Sequence, residues 1–144
     1  MRRLLPLVLL MPMGCSDRSL CSEKVVQVTH DLSEDRYATV NLRNCGATTD
    51  LATVIRVGRS GSPPEEATEV FVADSNSGAA THYYSDGGGV WRSVVWTAPG
   101  KLSIAYATDA RVFKRVAAAR NATITFRKSE PASAPTVNVM SPSG

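Results

Sequence analysis

Apolar and polar positions alternate along most of the chain between Lys24 and Arg127. A period of two is the mark of half-buried strands. Arg36–Arg43 shows it most clearly, with Ala38, Val40 and Leu42 on one face. Lys24–His30 is rich in β-branched residues, and the polar Asp31–Asp35 segment separates the two runs. Together they predict a hairpin. Further strands are expected over Leu51–Val57, Thr68–Ala73, Val90–Trp96, Lys101–Tyr106 and Asn121–Arg127. Ala110–Val116 also reads as a strand, whereas Val116–Arg120 is open to a short helical turn because alanine favours helix. Glycine, proline and small polar residues at 46–50, 58–66 and 74–89 read as loops. The expected fold is all-β: a single antiparallel β-sandwich or barrel-like sheet of about seven or eight short strands. From Lys128 the composition turns to Pro, Ser and Ala, which predicts a disordered tail over 128–144.

The first fifteen residues follow another pattern. Arg2 and Arg3 precede a nearly unbroken apolar run, Leu4–Met13, which ends at Gly14-Cys15. A basic end, a short apolar stretch and a small residue describe a signal peptide over 1–14. The run is shorter than the roughly 20 residues that span a bilayer, and Pro6 and Pro12 oppose a buried helix. Gly14-Cys15 resembles the lipobox of bacterial lipoproteins, which implies lipidation of Cys15 and a tether over 15–20. Pro12 departs from the leucine preferred there. Ser16 carries no inner-membrane retention signal by the same resemblance, which implies the outer membrane in a two-membrane cell.

If Cys15 carries lipid, Cys21 and Cys45 remain, and an exported domain can pair them. A symmetric hairpin centred on Ser33 sets His30 opposite Arg36, Val28 opposite Ala38 and Val26 opposite Val40. Continued outward, it sets Cys21 opposite Cys45. Directly opposed strand residues are close enough for a disulfide.

The chain has 144 residues, which suits one β domain over 21–127 behind the tether. Its formal charge of +3 includes Arg2 and Arg3; without them 14 basic residues face 13 acidic ones. That balance gives no electrostatic reason to expect a nucleic-acid partner.

Arg43-Asn-Cys-Gly-Ala-Thr-Thr-Asp50 resembles a segment of a family of small, uncharacterised bacterial exported proteins and lipoproteins. The resemblance continues through Tyr37–Val40, Val70–Asp74, the Trp-bearing Val90–Trp96 and Leu102–Tyr106, covering residues 21 to 127. It implies export and a β fold, and brings no activity with it. Relatives often carry a Pro-Asp-Gly turn where this chain has Asp31–Asp35.

Candidate chemistry is sparse. His30 and His82 are the only histidines, and no Gly-x-Ser-x-Gly elbow accompanies the Ser85-Asp86 pair near His82. No catalytic set is expected. The carboxylates of Asp31, Glu34 and Asp35 are normal for a hairpin tip, as is the Asp74–Gly78 segment for a loop, and neither spacing matches an EF-hand. Gly87–Gly89 precedes a strand rather than a helix, so it reads as a bend and not as a phosphate loop. No metal or cofactor is expected. Tyr83, Tyr84 and Trp91 are candidates for an exposed contact surface beside the 74–89 loop, with Trp91 and Trp96 expected on opposite faces of one strand. The leading functional expectation is a non-catalytic, membrane-tethered envelope domain that binds an envelope protein or has a structural role. An extracytoplasmic inhibitor or immunity protein is the alternative, and an envelope hydrolase the third.

Overall fold

The computed structural model describes residues 20–46 and 48–133. The expected leader, Cys15 and residues 134–144 lie outside the described residues. In chain order the strands are β1 (Ser22–His30), β2 (Arg36–Asn44), β3 (Ala52–Arg59), β4 (Thr68–Asp74), β5 (His82–Tyr83), β6 (Gly89–Val90), β7 (Arg92–Ala98), β8 (Lys101–Tyr106), β9 (Arg111–Arg115), β10 (Ala118–Ala119) and β11 (Ala122–Lys128). Five form one sheet in the order β1-β2-β3-β4-β9. Four form a second, β10-β11-β8-β7, and β5 and β6 make a small ribbon. Three-residue 3-10 turns occur at Pro64–Glu66 and Tyr84–Asp86, and the described residues contain no α-helix.

The fold is all-β as expected, with more strands than expected: eleven, of which β5, β6 and β10 have two residues each. One pairing departs from the antiparallel expectation. β11 runs parallel to β8, because the chain leaves β8, crosses to β9 in the other sheet and returns through β10. A parallel neighbour requires such a crossover, whereas a hairpin cannot provide it.

Alternation decides which side chains meet between the sheets. Ala38 and Val40 of β2, Ile55 and Val57 of β3, and Phe71 and Ala73 of β4 share one buried cluster with Val94 and Trp96 of β7, Leu102, Ile104 and Tyr106 of β8, and Ala122 and Ile124 of β11. The Phe71 ring centroid lies 5.0 Å from that of Tyr106 and 6.0 Å from that of Phe126. Trp96 is buried and donates its indole N–H to the Thr29 carbonyl at 3.2 Å, so its one polar atom is satisfied.

The β1–β2 hairpin follows the symmetric register at its open end and loses it towards the turn. Ser22 pairs with Asn44, Glu23 with Arg43, Lys24 with Leu42 and Val25 with Asn41. A bulge at Val26 then moves the pairing by one, so Val28 faces Thr39 and His30 faces Tyr37. The bulge leaves Val26 against the core and Val25 and Val28 exposed. Cys21 and Cys45 lie beyond the regular half and form a disulfide with their Cα atoms 4.1 Å apart. Closing a loop of 24 residues contributes roughly 3 kcal/mol in the chain-entropy model. A native disulfide is also a hint of an oxidising, extracytoplasmic compartment. Among the described residues no helix is long and apolar enough to cross a membrane.

Two other expectations shift. Val116–Arg120 is not helical: Ala118 and Ala119 pair with Thr123 and Ala122, and Arg120 and Asn121 both take left-handed backbone (φ 50° and 60°). That is the two-residue hairpin turn matched to the twist of its strands. The ordered chain also runs past residue 127. β11 includes Lys128, and the Glu130 carboxylate accepts from the Thr81 hydroxyl at 2.6 Å and the Thr108 N–H at 2.8 Å.

Candidate functional site

All five strands of the larger sheet put charged side chains on its outer face. Opposite β1–β2 partners share a face, so Glu23 stands beside Arg43; likewise Arg56 of β3 stands beside Glu69 of β4. Arg43 Nε donates to Glu23 at 2.7 Å, and its Nη2 donates to Glu69 at 2.9 Å. Arg56 closes the circuit, donating to Glu23 at 2.7 and 3.0 Å and to Glu69 at 3.1 Å. Lys114 of β9 lies 3.7 Å from Glu69 at the far side. The result is a four-membered ring of alternating charge that laces β1 to β4. Val54, on the same face between Asn41 and Val72, is fully buried. The aliphatic stems of the arginines suit the cover it needs.

Hydrogen bonds from Arg56, working against partial burial and reinforced by Arg43, hold the Glu23 carboxyl at about 2, well below its ordinary 4.5. Burial raises the Glu69 carboxyl, but Arg43, Arg56 and Lys114 outweigh it, and the net direction is down. A depressed folded-state value adds stability above the unfolded value and loses it on acidification. Stability is therefore expected to fall as pH drops from about 4.5 towards 2. After allowance for solvent screening, Glu23 accounts for about 1–2 kcal/mol of that loss. Thermal melts across this range check it: Glu23→Gln should start less stable and show a shallower acid slope than wild type.

Beside the ring lies a groove. Its floor is the outer side of β1 to β3, contributed by Glu23, Val25, Tyr37, Thr39, Asn41 and Arg56. Its wall is the β3–β4 connection, which contributes Pro64, Glu65 and Ala67. Gly58 makes room for Tyr37: a Cβ there would fall 2.4 Å from the Tyr37 ring and hydroxyl. Asn41 is only 7% exposed and donates its amide N–H to Glu23 at 3.3 Å. The Asn41 carbonyl oxygen and the Tyr37 hydroxyl are both buried without a hydrogen-bond partner.

The contact surface expected from sequence sits elsewhere, on the loop between β4 and β7. Tyr84 is 84% exposed and stacks on His82, centroid to centroid 5.8 Å. Tyr83 is exposed, and the Arg92 guanidinium lies over its ring at 4.9 Å. Trp91 is half-buried against Ala80, Val90 and Ala107. It is not part of the strand that holds Trp96, since β7 begins at Arg92 and Val90 pairs with His82 in the ribbon. The expected opposite-face relation of the two tryptophans therefore does not apply. Tyr83 and Tyr84 are brought together on the surface, and Trp91 forms part of the base beneath the loop.

The loop is pinned from below. Arg92 is buried, pairs with Asp86 and donates to the Val90 carbonyl at 3.3 Å. Gly87 and Gly88 take left-handed backbone, and a Cβ on Gly89 would lie 2.5 Å from Leu42. The glycine run is thus a bend that brings main chain hard against the core. His30 is exposed, and His82 is half-buried and stacked on Tyr84. Asp31 is spent on structure, accepting from Arg36 at 2.9 Å and from the Gly100 N–H at 2.9 Å. Asp74 likewise binds Arg111 at 3.1 and 2.5 Å. Among the described residues no group of three or more His, Cys, Asp or Glu is placed to hold a metal ion.

No family model, curated protein or solved structure matches the chain.

Proposed function

We propose that this chain is a non-catalytic, lipid-anchored protein of the bacterial cell envelope, whose β4–β7 loop presents Tyr83 and Tyr84 to an envelope protein partner. The body is a sandwich of the two larger sheets, and the anchor is a lipid on Cys15 behind the 1–14 leader. The observation that carries the reading is the exposure of Tyr84, 84% of it in solvent, on a loop held still by the buried Arg92–Asp86 pair. A large aromatic on a rigid support binds with little loss of conformational freedom. Export is supported by the Cys21–Cys45 disulfide, which begins six residues after the proposed lipidated cysteine. The same rigid loop also suits an extracytoplasmic inhibitor that inserts an aromatic into an enzyme cleft, the second reading. An envelope hydrolase is the weakest, given an exposed His30 and a His82 stacked on Tyr84.

Two measurements test it. Metabolic labelling with a lipid analogue should mark the wild type and not Cys15→Ser; an unlabelled wild type removes the anchor. A photo-crosslinking residue at position 84 of the tethered protein should trap one discrete species that the same residue at position 95 does not, Val95 being exposed on the other sheet. Equal trapping at both positions, or none, removes the loop as contact surface.

A further inference from the structure

We propose that the groove over β1–β3 is a binding site for an uncharged, hydroxyl-rich chain, a saccharide, laid along β2. This site is separate from the tyrosine loop and does not rest on it.

The first observation is a row of hydrogen-bonding groups. Tyr37, Thr39 and Asn41 occupy alternate positions of β2 and all line the groove. Alternate strand residues recur at about 6.8 Å, so the three side chains leave β2 on one face, with the Tyr37 hydroxyl carried across to Gly58 of β3. The second is that this row is unsatisfied. The Tyr37 hydroxyl and the Asn41 carbonyl oxygen have no partner, and Asn41 is more than nine-tenths buried. Its orientation is fixed, because only the amide nitrogen can donate to the Glu23 carboxylate. Buried polar atoms are almost always paired, so an orphaned pair in one groove points to a guest that supplies the partners.

The charges select the guest. Both guanidiniums nearby, Arg43 and Arg56, are already divided between Glu23 and Glu69. Among the described residues that line the groove no free cation faces an incoming phosphate or carboxylate, the two carboxylates of the ring are equally engaged, and the one charge left over, Glu65 on the wall, repels an anion. What remains unpaired is the Tyr37 hydroxyl and the Asn41 carbonyl oxygen, both closed to solvent in the free protein, with Thr39 between them and Val25, Pro64, Glu65 and Ala67 on the flanks. A sugar matches both parts: its hydroxyls donate to the amide and accept from the phenol, and its C–H face lies on the apolar wall. A groove of 380 Å³ falls within the range of small-ligand sites.

The test is an NMR titration of the full mature chain with chitotetraose and with cellotetraose, with spermidine and inorganic phosphate as charged comparators. Shifts confined to Tyr37, Thr39, Asn41 and the 64–67 turn with at least one tetrasaccharide, and with neither charged compound, support the site. Tyr37→Phe separates binding from folding. Deleting an unpaired buried hydroxyl should leave the melting temperature unchanged or higher, while sugar affinity falls by roughly 3- to 10-fold. No shifts with either tetrasaccharide, shifts with spermidine or phosphate at the same residues, or wild-type sugar affinity in Tyr37→Phe would each overturn the proposal.

Discussion

Asp31→Ala is expected to destabilise the protein by about 3–5 kcal/mol, near the top of what one substitution does. Its side chain is fully buried and gathers three donors from two sheets. The Ser33 N–H at 3.4 Å and the Arg36 guanidinium at 2.9 Å belong to the β1–β2 hairpin, whereas the Gly100 N–H at 2.9 Å belongs to the β7–β8 turn. Arg36 extends the link, its Nε donating to the Arg120 carbonyl at 2.8 Å in the β10–β11 turn. Burial alone would raise the Asp31 carboxyl, but these donors outweigh it and the net direction is down. Alanine leaves Arg36 and the Gly100 N–H without their acceptor at the point where three hairpin turns converge. Urea denaturation should show a large fall in midpoint for Asp31→Ala. Asp35→Ala, four residues on and exposed, should stay within about 0.5 kcal/mol of wild type. Similar midpoints for the two variants would refute the clamp.

The second large effect is expected at the base of the tyrosine loop. Asp86→Ala leaves the Arg92 guanidinium in the interior with only the Val90 carbonyl and the Tyr83 ring for company. Removing one partner of a buried pair costs about 3–5 kcal/mol, most of it the uncompensated charge. The double variant Asp86→Ala/Arg92→Leu should recover much of the loss, because an apolar side chain suits that space. A double-mutant cycle by chemical denaturation measures the coupling; additive losses would rule out the pair as the loop's foundation. It follows that the loop cannot be cut out cleanly. Removing residues 75–88 deletes Asp86 and the buried Ala80 along with the tyrosines. Point changes at Tyr83 and Tyr84 are the proper probes of binding.

Strand positions were legible because alternation is local and repeated. Ala38, Val40 and Leu42 announce their face, and all three are buried. The disulfide was legible because the hairpin keeps its symmetric register from Ser22 to Val25. The bulge was not: with Val25 and Val26 adjacent, either can face the core, and the choice depends on packing across the sheets. The helical option at Val116–Arg120 reflects a real propensity of alanine, overridden by pairing with β11. Parallel pairing of β8 and β11 depends on a crossover through the other sheet, which no neighbouring residues record.

The outer face of the five-stranded sheet was the largest omission. Glu23, Arg43, Arg56 and Glu69 each look like one solvated charge in a strand, and their ring exists only once register is known. A signal was available in hindsight: the outward positions of β1 to β4 carry charges of sign minus, plus, plus and minus. Asp31 teaches the opposite lesson. Counted among three carboxylates at a hairpin tip, it is the one buried, and only the tertiary position of Gly100 distinguishes it from Glu34 and Asp35.

The position of the Cys21–Cys45 bridge has a mechanical consequence. Tension entering the domain from its N-terminal side reaches Cys21 first and passes through the sulfurs to Cys45, bypassing residues 22–44. β1 is an edge strand, the kind most easily peeled from a sheet one hydrogen bond at a time. With the covalent shortcut at its root it carries no load, and a pull at that end passes through residues 46–51 to β3, an interior strand held on both sides.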